Sequence, residues 1–150
     1  MDQLAIMRKV NYLSDTDLYT LAEQEAEKWV DCPQLPLNDV FRKFLTGLRV
    51  NGQNGHKFLA EFLDKNLSYI LAEKRKPVGE LYKLVHELKG LIQFHSMILQ
   101  VCEGIKEKED EAKLFARDAL VKEFIQHFIA HTEYSWTLRY DRRHSIRGQR

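Results

Sequence analysis

AKLFARDALVKEFIQHFIAHTEYSWTLRY, residues 112–140, decides the fold class. Leu114, Phe115, Ala119, Leu120, Phe124, Phe128, Ile129 and Trp136 recur three or four residues apart within it. That spacing returns to one face of an α-helix and not to one face of a strand. The stretch holds neither glycine nor proline, so nothing in it interrupts a helix from about Ala112 to Tyr140.

The same period recurs upstream. Leu81, Leu84, Val85, Leu88, Leu91, Ile92, His95, Ile98, Leu99 and Cys102 predict a long helix over about 78–102, with Gly90 a mild weakness inside it. The charged segment EGIKEKEDEAK connects it to the last helix. Phe58, Leu59, Phe62, Leu63, Leu67 and Ile70 predict a helix over about 57–73, closed by Lys74, Arg75, Lys76 and Pro77. Asn38 is placed to cap another, with Val40, Phe41, Phe44, Leu45 and Leu48 on one face. NGQNG at 51–55 follows that helix as a turn. Ser14 is placed to cap a helix in which Leu18, Leu21, Ala22, Ala26 and Trp29 form the apolar stripe, and DCPQLP ends it. No β-branched run bounded by glycines suggests a strand. The expectation is an all-α, compact bundle of about five helices in a single domain, 1–150, with 139–150 a basic tail.

At 150 residues, 44% apolar and 30% charged, the chain has the composition of a folded domain with a well-solvated surface. A chain of this length buries roughly 68–70% of its unfolded surface and needs no staples. Cys32 and Cys102 form no CxxC pair and read as buried thiols in a reducing compartment. The N-terminal MDQLAIMRKVNYLSD does not read as a signal peptide, and no segment has the length of a membrane span. The expected location is cytoplasmic.

The net charge of +1 conceals a polarity. Residues 1–31 carry seven acids against three bases, net −4. Residues 42–76 carry eight bases (Arg42, Lys43, Arg49, Lys57, Lys65, Lys74, Arg75, Lys76) against three acids, net +5. Residues 139–150, with Arg139, Arg142 and Arg143 among five arginines against one aspartate, are net +4. Opposed patches suit a protein that meets a polyanion on one side and a protein neighbour on another. Lysines and arginines along a sugar–phosphate backbone release counterions, which gives affinity without sequence preference. Tyr69, Tyr134, Trp136 and Tyr140 add candidate stacking surfaces.

Catalytic patterns are sparse. Glu123, His127 and His131 are spaced four apart, so a helix stacks them on one face as a potential metal set. HExxH and repeated ExxH forms are missing, and His86 and His95 stand at an awkward offset. Neither metal nor cofactor is expected. There is no Walker or Rossmann glycine loop and no nucleophile elbow. Arg139 and His144 resemble the Arg-x4-His signature of helical HEPN ribonucleases, in which the arginine stabilises phosphate charge and the histidine moves a proton. Tyr140 stands where that signature usually has a polar residue.

Three segments in order resemble the small helical subunit of type III-A CRISPR RNA-guided effector complexes, the Csm complexes. They are LPLNDVFRKFLTGLR with Arg42, LDKNLSYILAEKRK followed by ELYKLVHELKGLI with Tyr69, and FIQHFIAHTEYSW with Tyr134. Glu73 stands where the family usually has a base, with Lys74 and Arg75 directly after it. The resemblance implies a non-catalytic bundle that stacks on copies of itself and on other subunits of the complex. It also implies contact with guide RNA and target RNA through the backbone. The expected RNA-binding set is Arg42, Lys43, Arg49, Lys57, Tyr69, Lys74, Arg75, Lys76, Arg139, Arg142 and Arg143. The alternatives are the HEPN-type ribonuclease and a helical adaptor that binds only protein.

Overall fold

The computed structural model describes the backbone of residues 2–31, 39–73 and 76–148, and the side chains of 2–31, 42–65 and 81–138. Among the described residues every regular element is a helix and none is a strand, and the helices form one bundle. In chain order they are α1 (Gln3–Asp15), α2 (Asp17–Val30), α3 (Asp39–Asn51), a 3₁₀ turn (Gly52–Asn54), α4 (Gly55–Glu73), α5 (Lys76–Leu91), α6 (His95–Val101) and α7 (Glu109–Gly148).

Helix α7 is the spine. Its 40 residues span about 60 Å at 1.5 Å per residue, and α1, α2, α3, α4 and α6 all pack along it, while α5 packs on α4. The apolar period of residues 112–140 is what makes this possible. Leu120, Phe124, Phe128 and Ile129 are buried as expected, and Ala112, Ala116, Val121 and Ile125 widen the stripe. Trp29 of α2 is fully buried and stacks on Phe44 of α3 (centroids 5.0 Å, planes 7° apart), with Phe128 edge-on at 5.3 Å. Phe44 then meets Phe58 and Phe62 of α4. Each such ring pair adds about 0.5–1.5 kcal/mol beyond its area burial. The aromatic chain therefore fixes how α2, α3, α4 and α7 sit together. The Trp29 indole N–H donates to Glu25 (3.3 Å), which is also buried and pairs with Lys28.

Three local expectations change. First, residues 3–15 form a helix of their own. Ile6, Val10 and Leu13 are buried at i, i+4 and i+7, and the Asp2 side chain accepts from the Ala5 N–H (3.1 Å) as its cap. Ser14 is therefore not the cap of α2. It lies in the last turn of α1 and is buried, and Thr16 precedes α2 without a side-chain capping bond.

Second, the long helix over 78–102 breaks between Leu91 and His95. Phe94 takes a left-handed backbone (φ 47°, ψ 38°), which costs about 1–2 kcal/mol for an L-residue. Its ring is buried against Phe124 (5.5 Å), and burying a phenylalanine contributes about 1.5–3 kcal/mol. The break shifts the register. His95 and Leu99, expected inward, are exposed, whereas Val101 and Cys102 are buried. Leu114 is also exposed and faces Leu99 and Ile98 across an open groove between α6 and α7.

Third, α7 starts at Glu109 and continues helically to Gly148, through most of the segment read as a tail. Cys32, the Asn38 cap and the Pro33–Pro36 break lie outside the described residues, as do the side chains of Val40, Phe41, Leu67 and Ile70. Among the described residues no helix is long and apolar enough to cross a membrane.

Candidate nucleic-acid interface

Amphipathic packing sets where the charges go. Helix α3 turns Phe44, Leu45 and Leu48 into the core, so Arg42, Lys43 and Arg49 emerge at its surface. Gly47 lets α4 approach closely: an added Cβ there would stand 2.3 Å from Phe58 Cζ. Lys57 and Lys65 project from the exposed side of α4.

Helices α3 and α7 run antiparallel, and two contacts show the register. The Arg42 guanidinium lies 4.9 Å from the centre of the Trp136 ring, a cation–π contact. About two turns further along α3, Arg49 forms an ion pair and hydrogen bond with Glu133. Both partners of that pair are about half exposed, at 57% and 47% of their side-chain surface. Arg42 and Arg49, both in the expected RNA-binding set, are each already engaged by α7. Lys43, Lys57 and Lys65 make no ion pair among the described residues. Tyr134 is exposed (65%), with an open face, whereas the Trp136 face is taken by Arg42.

Arg139, Arg142 and Arg143 fall on the last turns of α7, so Arg139 follows Trp136 by less than one turn of the same helix. Two basic segments almost a hundred residues apart in sequence thus belong to adjoining helices. Tyr69 lies on α4, and Lys76 opens α5. The side chains of Tyr69, Lys76, Arg139, Tyr140, Arg142, Arg143 and His144, and the whole of Lys74 and Arg75, lie outside the described residues.

The histidine set of α7 does something the sequence did not suggest. Ser14 Oγ donates to Glu123 Oε2 (2.9 Å) and lies 2.9 Å from His127 Nε2. The serine has one proton and gives it to the carboxylate, so the ring N–H at Nε2 donates to the serine oxygen. The carboxylate thus contacts the serine and not the histidine, the reverse of a catalytic triad, in which the acid orients the base. Tyr19 of α2 packs edge-on against both His127 (5.4 Å) and His131 (4.8 Å). This polar cluster joins α1, α2 and α7. His86 stacks on Tyr82 of its own helix, and among the described residues no three His, Cys, Asp or Glu side chains converge as a metal set.

Burial displaces the titration of His56 and of Cys102 from their ordinary values. Burial lowers the pKa of His56 at the start of α4, and neighbouring Arg117 lowers it further, against a smaller opposing pull from Asp118. Its Nε2 is buried without a hydrogen-bond partner, as is Arg117 Nε. Burial raises the Cys102 thiol, which suits an inert core cysteine.

No protein-family model, curated protein or solved structure matches the chain.

Proposed function

We propose that this protein is a non-catalytic, RNA-backbone-binding small subunit of a type III CRISPR ribonucleoprotein, acting in the cytoplasm with other subunits and with copies of itself. The observation that carries the reading is the junction of α3 and α7. It joins the Arg42–Arg49 segment to a helix that runs on through Arg139, Arg142 and Arg143. Extended cationic surface of this kind recognises phosphates spaced along a strand, and it positions the strand without reading its bases. The three segments that resemble the Csm small subunit supply the class of assembly. Exposed Tyr134 adds a surface on which a base can stack.

The test is binding of a 20-nucleotide single-stranded RNA, measured by anisotropy across a salt series. Affinity falls steeply with salt and depends little on sequence. Reversal of Lys43, Lys57 and Lys65 to glutamate, which breaks no ion pair described above, lowers affinity and flattens the slope by about 0.7 per lost contact. No affinity at low salt, either alone or in an assembled complex, refutes the reading. Metal-independent RNA cleavage abolished by His144→Ala but retained in Arg142→Ala would establish the HEPN-type ribonuclease instead.

A further inference from the structure

A cleft of about 360 Å³ opens where the end of α3 and the 3₁₀ turn meet the middle of α7. Its α7 wall carries Lys122, Gln126, Ile129 and Glu133 at i, i+4, i+7 and i+11, one continuous stripe of the helix. Arg49 enters from α3 on the opposite side, and Gly52 leaves the rim open: nothing lies within 4 Å of where its Cβ would stand. The cleft therefore gathers two cations, an amide and one carboxylate over an apolar floor. Its net charge is positive although the carboxylate is inside it.

We propose that this cleft is a phosphate site of the RNA-binding surface, and that Glu133 occupies its Arg49 guanidinium as an internal stand-in for phosphate. The inference rests on the RNA-binding reading above for the source of the phosphate, which is the RNA backbone. Three features support it. A guanidinium takes a carboxylate and a phosphate through the same planar fork of N–H donors, so one ligand can replace the other without rebuilding the site. The pair is half exposed, and pairs of that kind are weak, so a phosphate displaces the carboxylate readily. Lys122, exposed on the same wall with no ion pair among the described residues, stands eleven residues, about 16 Å of helix, from Glu133, which places it to meet a neighbouring phosphate of the same strand. Gln126, one turn from Lys122, offers an amide donor to a phosphate oxygen. The physical consequence is selectivity for a chain of phosphates: a lone carboxylate engages Arg49 alone, whereas successive phosphates of one strand engage Arg49 and Lys122.

The experiment uses the full chain as wild type, Glu133→Gln, Arg49→Gln and the Arg49→Gln/Glu133→Gln double variant. Glu103→Gln serves as a control that changes net charge equally, on the α6–α7 connection beside α1. Two probes are titrated: the 20-nucleotide single-stranded RNA, by anisotropy, and inorganic pyrophosphate, by amide chemical shifts of Gly52 and Gln126. Glu133→Gln is expected to bind RNA about two- to fivefold tighter than wild type at low salt, the range set by releasing one weak surface pair. Glu103→Gln moves affinity less, and the gain vanishes in the Arg49→Gln background. Pyrophosphate shifts Gly52 and Gln126 in Glu133→Gln but not in the double variant. If wild type binds RNA and Glu133→Gln binds it no better than Glu103→Gln does, the masked site is refuted and the RNA reading stands. If no variant binds RNA but pyrophosphate saturates the cleft of Glu133→Gln, the phosphate site stands and the RNA reading falls. If neither probe binds, both fall.

Discussion

Replacing glycine by alanine at two positions should move stability in opposite directions, and the reason lies in what each new methyl group meets. Gly90 is exposed in the last turn of α5, its φ is negative, and nothing lies within 4 Å of an added Cβ. Gly90→Ala should stabilise by about 0.5 kcal/mol, below the full helix-interior gain because α5 ends one residue later. Gly47 receives the same backbone benefit, about 1 kcal/mol at an interior position. Its Cβ would stand 2.3 Å from Phe58 Cζ and 2.4 Å from Cε2. Ordinary contact begins near 3.4 Å, so the ring must move by more than about 1 Å, away from Phe44 and Phe62, which it touches. Forcing a methyl into a packed core costs about 1–3 kcal/mol. The net expectation for Gly47→Ala is a loss of up to about 2 kcal/mol. Urea unfolding followed by circular dichroism at 222 nm measures both, and about 1 kcal/mol corresponds to roughly 2–4 °C in Tm for a chain of this size. Phe58→Ala removes the obstruction, so in that background Gly47→Ala should become stabilising, with a coupling of about 1–3 kcal/mol. A Gly47→Ala protein at least as stable as wild type, or an effect unchanged when Phe58 is removed, would refute the close approach of α3 to α4 at this point.

Three further outcomes follow from the geometry. Ser14→Ala deletes the group between Glu123 and His127 and should cost about 1–2 kcal/mol by urea unfolding, with Ser14→Thr costing more than a surface change because the site is closed. Because the folded pKa of His56 lies below the unfolded value near 6.5, protonation favours the unfolded chain. Stability is then full above about pH 6.5 and falls as pH drops from there towards the folded pKa, and His56→Gln should flatten that slope in a series of urea midpoints between pH 7.5 and 4.5. Phe94→Gly relieves the left-handed strain but loses the ring buried on Phe124, so it should destabilise by about 1–2 kcal/mol, whereas Phe94→Ala, which loses the ring and keeps the strain, should cost about 3–4 kcal/mol by the same assay.

How much of this was legible in the sequence depends on how far each feature reaches. Helix α7 and the buried faces of α2, α3 and α4 were, because a core-facing stripe is a one-dimensional signal: Phe124 and Phe128, or Phe44 and Leu48, announce a shared face by spacing alone. Helix α1 was missed because only Ile6, Val10 and Leu13 mark its inner face, and exposed Leu4 and Tyr12 blur the period. The break after Leu91 was hidden for a different reason. A phenylalanine in a left-handed turn violates local preference, and what compensates it is Phe124, thirty residues away in another helix. Ser14 was misread on the same grounds. As a residue type it caps helices well, but the bonds that decide its place come from Glu123 and His127, far along the chain.

Charged side chains carry this lesson further, because their chemistry depends on the azimuth of two helices at once. Spacing shows that Arg42 and Arg49 leave the core side of α3, which requires only the helical period. Whether each is free requires knowing that α7 runs antiparallel beside α3 with Trp136 opposite one and Glu133 opposite the other. No local pattern encodes that register; Phe44 and Phe128, both packed on Trp29, set it. The aromatic core therefore decides which cations remain open. Lys43, Lys57, Lys65 and Lys122, on surfaces the core does not pair off, are open to an external polyanion, while Arg42 and Arg49 have a second task in holding α3 to α7. A basic surface built this way divides into cations that bind at once and cations that bind by exchange, and the exchange at Arg49 can be abolished without disturbing the core.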